Sequence, residues 1–322
     1  MQIIENLLIF PLDDAPTPSC HASTVCLTDS GMLISAWFGG THENNPDVEI
    51  YMSRKNLCAA DSEWETPRMV TIHGDTACWN PVLFHEKGKT TLFFKKGVTI
   101  PEWKTFVKYS YDDGISWTDE VELVPGDISG GRGPVKDKPI MLSNGTLIAG
   151  ASHETGAPER CWRAFVDVSR DGGKTWDRGE YVNDGIETKL IQPTLWEDEG
   201  GVHMLMRSIN GYIYRSDAPL ETLEFCKAYR TDVPNNNSGI DLVKSQDGRL
   251  FLVCNPIGED GGRSPISLLV SEDGGLSFGK LCDLEKKDGG ELSYPAIICK
   301  NGELFITYTY ERRSIRFIRI KL

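Results

Sequence analysis

This chain has no long amphipathic helical stretch, no apolar run of membrane-spanning length, no Cys-x-x-Cys pair and no excess of basic residues. Each absence removes a class of protein. A membrane helix needs roughly 20 consecutive apolar residues, so none is expected here. Lys and Arg number 34 against 47 Asp and Glu, a net charge of −13. That balance argues against a nucleic-acid partner, because phosphate binding needs a basic face. It reports solubility, and local Arg and Lys can still hold a small anion. The nine cysteines are scattered and odd in number. Several lie in strand-like runs (Cys26, Cys254, Cys299) and read as small buried hydrophobes rather than a disulfide framework. His21, His42 and His153 have no metal-ligand spacing, so neither a metal nor another cofactor is expected. The first residues, MQIIENLLIFPLDD, lack a basic region and a small-residue cleavage site. No leader is read there, and the expected location is the cytoplasm.

What the chain does have is repetition. Three segments carry one turn pattern: Ser110-x-Asp112-x-Gly114 before Trp117, Ser169-x-Asp171-x-Gly173 before Trp176, and Ser271-x-Asp273-x-Gly275 before Phe278. Ser and Asp side chains hydrogen-bond a tight turn, and Gly supplies positive φ. Weaker copies start at Ser53 and Ser216, giving spacings of 57, 59, 47 and 55 residues. A second series agrees. Gly31, Gly88, Gly145, Gly201, Gly248 and Gly302 each sit in a turn before an apolar run, 57, 57, 56, 47 and 54 residues apart. Six units of about four strands each describe an all-β chain, a six-bladed β-propeller spanning 1–322 as one domain. The N-terminal segment is expected to pair with the final strand, Ile315 to Leu322, and close the ring, which removes two open sheet edges.

The segment before each of these glycines is expected to be the innermost strand. Aligned, these segments read CHASTV, WNPVLF, DKPIML, IQPTLW, NSGIDL and SYPAII. In four of them a polar residue precedes Pro: Asn80, Lys138, Gln192 and Tyr294. Pro suits a strand start or an unpaired position, and the residue before it is expected to be extended. With His21 and Ser238 each within a residue or so of the equivalent places, one polar side chain per blade converges on one channel mouth. That ring is a candidate small-molecule site. Arg207, Arg263 and Arg132 can join it, each offering a planar fork for a carboxylate. Glu43 and Asp47, in the loop after the first blade's second strand, are candidates for a general acid. His153 and Glu154 end the corresponding strand of the third blade. His73, His85 and His203 read as turn or surface residues. Trp79, Trp103 and Trp162 are candidates to stack on a sugar face, with core packing an equal alternative. The Gly-rich loop 124–134 matches no phosphate-binding fingerprint and reads as a flexible, close-packed funnel loop.

Over nearly its whole length the chain resembles the sialidase superfamily, specifically sialidase-like proteins with Asp-box (BNR) repeats. The resemblance implies an arginine triad on the substrate carboxylate, a Tyr nucleophile assisted by Glu, and an Asp acid/base, an exception to the two-carboxylate glycosidase rule. On that resemblance Tyr294 is the nucleophile, and Arg207 and Arg263 are the second and third arginines. His21 stands where the first arginine belongs and Gln192 near the assisting Glu. The acid/base falls in loop 43–47. The expected function is removal of a terminal acidic sugar from a glycan, with an acidic oligosaccharide as partner. The alternatives are β-elimination at a uronate, with His or Tyr moving protons, and glycan binding without catalysis.

Overall fold

The computed structural model describes every residue except 73, 157, 159, 259 and 260, so His73 lies outside the described residues. Six four-stranded antiparallel sheets are arranged as blades. Blade 1 comprises Ser19–Leu27, Met32–Gly40, Glu49–Asn56 and Arg68–Met69; blade 2, Cys78–Glu86, Lys89–Lys96, Lys104–Ser110 and Val121–Glu122. Blade 3 comprises Ile140–Met141, Leu147–Glu154, Trp162–Ser169 and Asp177–Arg178; blade 4, Leu190–Asp198, Gly201–Ser208, Tyr212–Ala218 and Tyr229–Pro234. Blade 5 comprises Asp241–Lys244, Leu250–Cys254, Ile266–Ser271 and Gly279–Glu285. Blade 6 runs Leu292–Lys300, Glu303–Tyr310 and Ser314–Lys321, and its outer strand is Gln2–Leu8 from the other end of the chain. That strand pairs antiparallel with Ser314–Lys321, closing the ring as the sequence suggests.

The apolar runs are nearly continuous because both faces of each blade are covered. In Met32–Gly40, Ile34, Ala36 and Phe38 pack with blade 2, while Leu33 and Trp37 pack on the other side with Phe305 and Phe317 of blade 6. A strand buried on both faces cannot alternate apolar with polar residues. The six glycines before these runs all have positive φ, between 72° and 129°. The Ser-x-Asp-x-Gly turns form as read. Ser110 Oγ accepts from the Gly114 N–H at 2.9 Å, and Asp112 accepts from the Ser116 N–H at 2.9 Å. Asp171 and Asp273 do the same for Thr175 and Ser277. The hydroxyl and amide donors of Ser116 hold the Asp112 carboxyl down at about 2.

Several expectations need correction. Lys138 and Ser238 precede their strands rather than lying in them. The residues before Pro in Asn80-Pro, Gln192-Pro and Tyr294-Pro are not extended. Their φ values are 35°, 57° and 54°, in the left-handed region. Each sits at a register shift of its inner strand, where the chain bulges and the Pro nitrogen needs no partner. In blade 1 the same bulge falls on Ala22, with φ 56°, so His21 lies one residue from the ring position, within the offset expected. Cys26 and Cys254 are buried as expected, Cys299 only partly, and all nine cysteines are free thiols.

His203 is not a turn or surface residue. It lies in Gly201–Ser208, mostly buried, between Asp198 (2.9 Å) and Asp217 (2.6 Å). Burial opposes its charge, but hydrogen bonds to both carboxylates win and raise its pKa above the usual value. A raised folded-state pKa stabilises fully below the unfolded value, about 6.5, and the contribution is lost as pH rises through the folded value. The difference in Tm between the wild type and His203→Gln is therefore expected to shrink from pH 6 to pH 9. A difference independent of pH would show that the charge of His203 does not contribute.

Candidate functional site

The bulged inner strands aim their side chains into one mouth of the channel. Tyr294 is the centre. Arg207 Nη1 donates to Tyr294 Oη at 2.7 Å and to Gln192 Oε1 at 3.0 Å, and Arg207 Nε donates to Asn237 Oδ1 at 3.0 Å. Gln192 also hydrogen-bonds the Tyr294 phenol. The guanidinium carbons of Arg207 and Arg263 each lie 5.4 Å from the centre of the Tyr294 ring. The His21 ring packs on the same tyrosine, centroid to centroid 4.2 Å. Residues from blades 1, 4, 5 and 6 thus converge, and Gly239 permits it. A Cβ there would come within 3.3 Å of the Tyr294 ring and 3.0 Å of Lys136 Cε.

Electrostatics follow from this packing. Burial alone would push the Tyr294 phenol up. The positive charges of Arg207 and Arg263, with the Gln192 hydrogen bond, outweigh burial and the nearby Glu43, and bring it below the ordinary phenol value. The His21 imidazole is driven well below its usual value by burial first and then by Arg312, Arg263, Arg207 and Lys136. It is therefore neutral near pH 7, and neither ring nitrogen has a hydrogen-bond partner among the described residues. Arg207 is 4% exposed, yet the acceptors it contacts are all neutral. A buried cation without a paired carboxylate is costly, and an incoming anion relieves that cost.

Arg312 was not among the candidates. It sits in the hairpin turn of blade 6, and ring closure brings it to blade 1, where the Cys20 N–H donates to the Arg312 carbonyl at 2.7 Å. Its Nε donates to Glu291 at 2.9 Å, and its Nη1 pairs with Glu43. Glu291 also accepts from Arg263 Nη1 at 2.8 Å. The ion-paired row Glu43, Arg312, Glu291, Arg263 therefore rims the mouth. No local signal in the sequence marks Arg312, because only closure carries it there. Lys136 was also missed. Its Nζ donates to Asp137 at 2.7 Å and to the carbonyls of Ile240 and Pro295, which ties blades 3, 5 and 6 together below the site.

Other candidates lie elsewhere. Arg132 is fully engaged: Nε binds Asp167 at 2.9 Å, Nη1 binds Asp127 at 3.2 Å and Nη2 binds the Trp176 carbonyl at 2.8 Å. It braces loop 124–134 and has no fork left for a substrate. Asp47 accepts from both the N–H and the hydroxyl of Thr41 at 2.9 Å, closing its own loop. Lys138 forks onto Asp241 at 2.9 and 3.0 Å, and Asp241 also accepts from Thr194 and the Ile297 N–H. That network cross-ties blades 3 to 6. Ser238 is wholly buried with its hydroxyl unpartnered, and Asn80 is buried at its bulge without a hydrogen bond among the described residues. Trp79 and Trp103 are core residues. They pack edge to face at 5.8 Å, with their indole N–H groups on the Gly97 and Gly130 carbonyls. Trp162 is half-buried and lines a cleft of about 480 Å³. His42 bonds its neighbour's carbonyl, and His153 meets the Tyr181 hydroxyl. No group of three or more metal-ligating side chains occurs among the described residues.

A family model described as a BNR repeat-like domain matches residues 31–306. The chain belongs to that family. A sialidase of Paraclostridium sordellii is 26% identical over 239 residues, 64% of this chain and 56% of that protein, so the chain spans little more than half of that relative. A Hadza microbial sialidase superposes with a TM-score of 0.78 at 16% identity, covering 98% of this chain and 68% of that one. A Dyadobacter fermentans protein of unknown function gives 0.80 at 13% identity, covering 100% and 99%. Trypanosoma rangeli sialidase bound to an inhibitor gives 0.72 at 14%, covering 94% and 55%. The chain is thus a BNR repeat-like propeller whose fold is shared with these sialidase structures.

The two arginines separate by experiment. Arg132→Ala is expected to cost about 3 kcal/mol in urea unfolding, because it strips Asp167 of its cation, while leaving binding of an acidic sugar intact. Arg207→Ala is expected to abolish that binding. Loss of sugar binding in Arg132→Ala at a temperature where it remains folded would return Arg132 to the site.

Proposed function

We propose that this BNR propeller is an exo-glycosidase that releases a terminal acidic sugar from a glycan, as its sialidase relatives are named for doing. The observation that carries the reading is the Tyr294 phenol, 2.7 Å from Arg207, beside Arg263, and held below its ordinary pKa. Two arginines, Arg207 buried and Arg263 partly exposed, beside a phenol held below its ordinary pKa suit a substrate whose carboxylate sits close to the reacting carbon. A carboxylate nucleophile would repel such a substrate, whereas a tyrosine begins neutral.

The chemistry balances without a redox partner. Arg207 and Arg263 hold the substrate carboxylate. Tyr294 gives its phenol proton to water, its Oη forms a bond to the anomeric carbon as the bond to the leaving oxygen breaks, and an acid protonates that oxygen. Glu43 is the carboxyl of loop 43–47 close enough to act on Tyr294, and it is ion-paired to Arg312. A water then bonds the anomeric carbon and gives a proton to the conjugate base of that acid, the carbon–Oη bond breaks, and Tyr294 leaves as phenolate and regains its proton from solvent. Gln192 does not replace the missing glutamate as a base. The phenol is instead activated by positive charge and by hydrogen bonds to its oxygen.

One observation favours elimination as the second reading. His21 is neutral, buried and unpartnered at the same tyrosine, which suits a base that removes a proton beside a neutralised carboxylate. Digestion of acidic oligosaccharides in oxygen-18 water separates the two. Hydrolysis places the heavy oxygen on the released sugar, whereas elimination gives an unsaturated uronate without it.

Tyr294→Phe is expected to lower kcat by about a thousandfold or more with little change in stability. Retained turnover would remove Tyr294 from the mechanism. Because cations favour the phenolate, Arg263→Gln is expected to move the ascending limb of the kcat/KM profile to higher pH. An unmoved limb would mean that it does not report Tyr294.

A further inference from the structure

Lys95 is wholly buried, yet the chemistry above does not use it. It lies in Lys89–Lys96, the second strand of blade 2. Its Nζ donates to the Thr105 hydroxyl at 2.6 Å and to the Arg132 carbonyl at 2.7 Å, and stands 5.9 Å from the centre of the Trp103 ring. Both acceptors are neutral. A buried ammonium without a paired carboxylate is costly, and such a group relieves the cost by losing its proton. Burial, the largest influence, accordingly brings the amine down to about 7, against the pull of Asp167 and Glu154.

The carbonyl that Lys95 holds belongs to loop 124–134, which leads from the outer strand of blade 2 to the inner strand of blade 3. Tyr294 lies near the start of its own inner strand, so this loop opens on the same face of the ring as the site. The loop is packed at its root and bare at its tip. A Cβ on Gly131 would collide with the Ser152 carbonyl, and one on Gly130 with that of Pro101, whereas Ile128 is 92% exposed. The Trp103 indole N–H holds the Gly130 carbonyl at 3.0 Å, and the Gly133 N–H donates to Asp167. The other charged groups facing Lys95 are Arg132 of the loop and Asp167 and Glu154 of blade 3. Asp167 is bound by Arg132, which also takes Asp127, and Glu154 accepts from the Ser152 hydroxyl at 3.1 Å. Lys104 is paired with Glu122. His153, beside Gly130, is kept below its usual value by burial and by Arg178 and Arg163, so it is neutral above pH 7.

We propose that Lys95 is a proton-operated latch on loop 124–134: uncharged, it holds the Arg132 carbonyl in a dry contact, and charged, it lets the loop lift and admit water. Once solvated, the amine returns to the ordinary lysine value of about 10. A closed-state value below the open-state one makes the closed loop most stable above about pH 10, and that stability is lost progressively as pH falls to about 7. Below that point the amine is charged in both states and the effect is flat. The edge of the mouth between blades 2 and 3 therefore loosens as the medium passes from alkaline to neutral, whichever reaction the site performs.

The test is hydrogen exchange of the full chain at pH 7, 8 and 9, with rates corrected for the intrinsic pH dependence of amide exchange. Peptides covering 124–134 are compared with the turn 271–278 of blade 5, which is remote from Lys95. Loop protection is expected to rise about fivefold to tenfold per pH unit, the slope of one released proton, while the reference turn does not change. Lys95→Met removes the titrating group but leaves the Arg132 carbonyl bonded to Thr105. It is expected to give the same loop protection at all three pH values. Lys95→Gln, which keeps a neutral donor, is the second variant and is expected to be equally flat. Wild-type loop protection that does not change with pH relative to the reference turn would overturn the latch. A pH dependence that persists in both variants would also overturn it, assigning the effect to Asp167, Glu154 or another neighbour.

Discussion

The structure depends on the antiparallel pairing of Gln2–Leu8 with Ser314–Lys321. Six blades leave two free edges unless the two ends of the chain share one sheet, and an open edge of this length is exposed to wrong pairing. The same pairing has a consequence at the channel mouth. It presses the last hairpin turn against blade 1, so that the Arg312 carbonyl accepts from the Cys20 N–H. Arg312 then meets Glu43 and becomes the largest charged influence on His21. The rim of the site is thus a by-product of ring closure, built from residues nearly 300 positions apart.

Within that ring, the inner strands are bent in the same way four times. Ala22, Asn80, Gln192 and Tyr294 all take positive φ at a register shift. Non-glycine residues adopt this conformation at a cost, and they keep it where the surroundings impose it. Here the bulge turns a side chain from the sheet's face toward the axis. The price is local strain, and the result is that Gln192 and Tyr294 share one guanidinium from blade 4. Deeper in the channel, Asp241 collects Lys138, Thr194 and the Ile297 amide, and Lys136 collects carbonyls from blades 5 and 6. Such ties are high-stakes in a low-dielectric interior, since every partner must be present. They hold the blades at a fixed angle beneath the site, which keeps Arg207 within hydrogen-bond reach of the phenol.

The blade count was readable because turns are local. Ser110, Asp112 and Gly114 form their hydrogen bonds within five residues, so their spacing survives in the sequence whatever the rest of the fold does. Tyr294, Gln192 and Arg207 were readable because an inner-strand register repeats. Arg132 and Asp47 were misread, since nothing local tells a free arginine or aspartate from one braced by Asp167 or Thr41. Trp79 and Trp103 read equally as core residues and as sugar platforms, and packing alone decided for the core. The expected extended geometry before proline failed because the bulge overrode the local preference.

By itself, then, the sequence determined the all-β class, the six repeats, the turns that punctuate them and the inner strands that carry polar residues. These features rest on interactions spanning a few residues or on a strict repeat. The tertiary structure alone decided which charges are paired, which carboxyls are buried and which arginine arrives from the far end of the chain. Charge pairing and burial depend on distances between segments remote in sequence. Arg312 at Glu43 came into view only when the ring was closed.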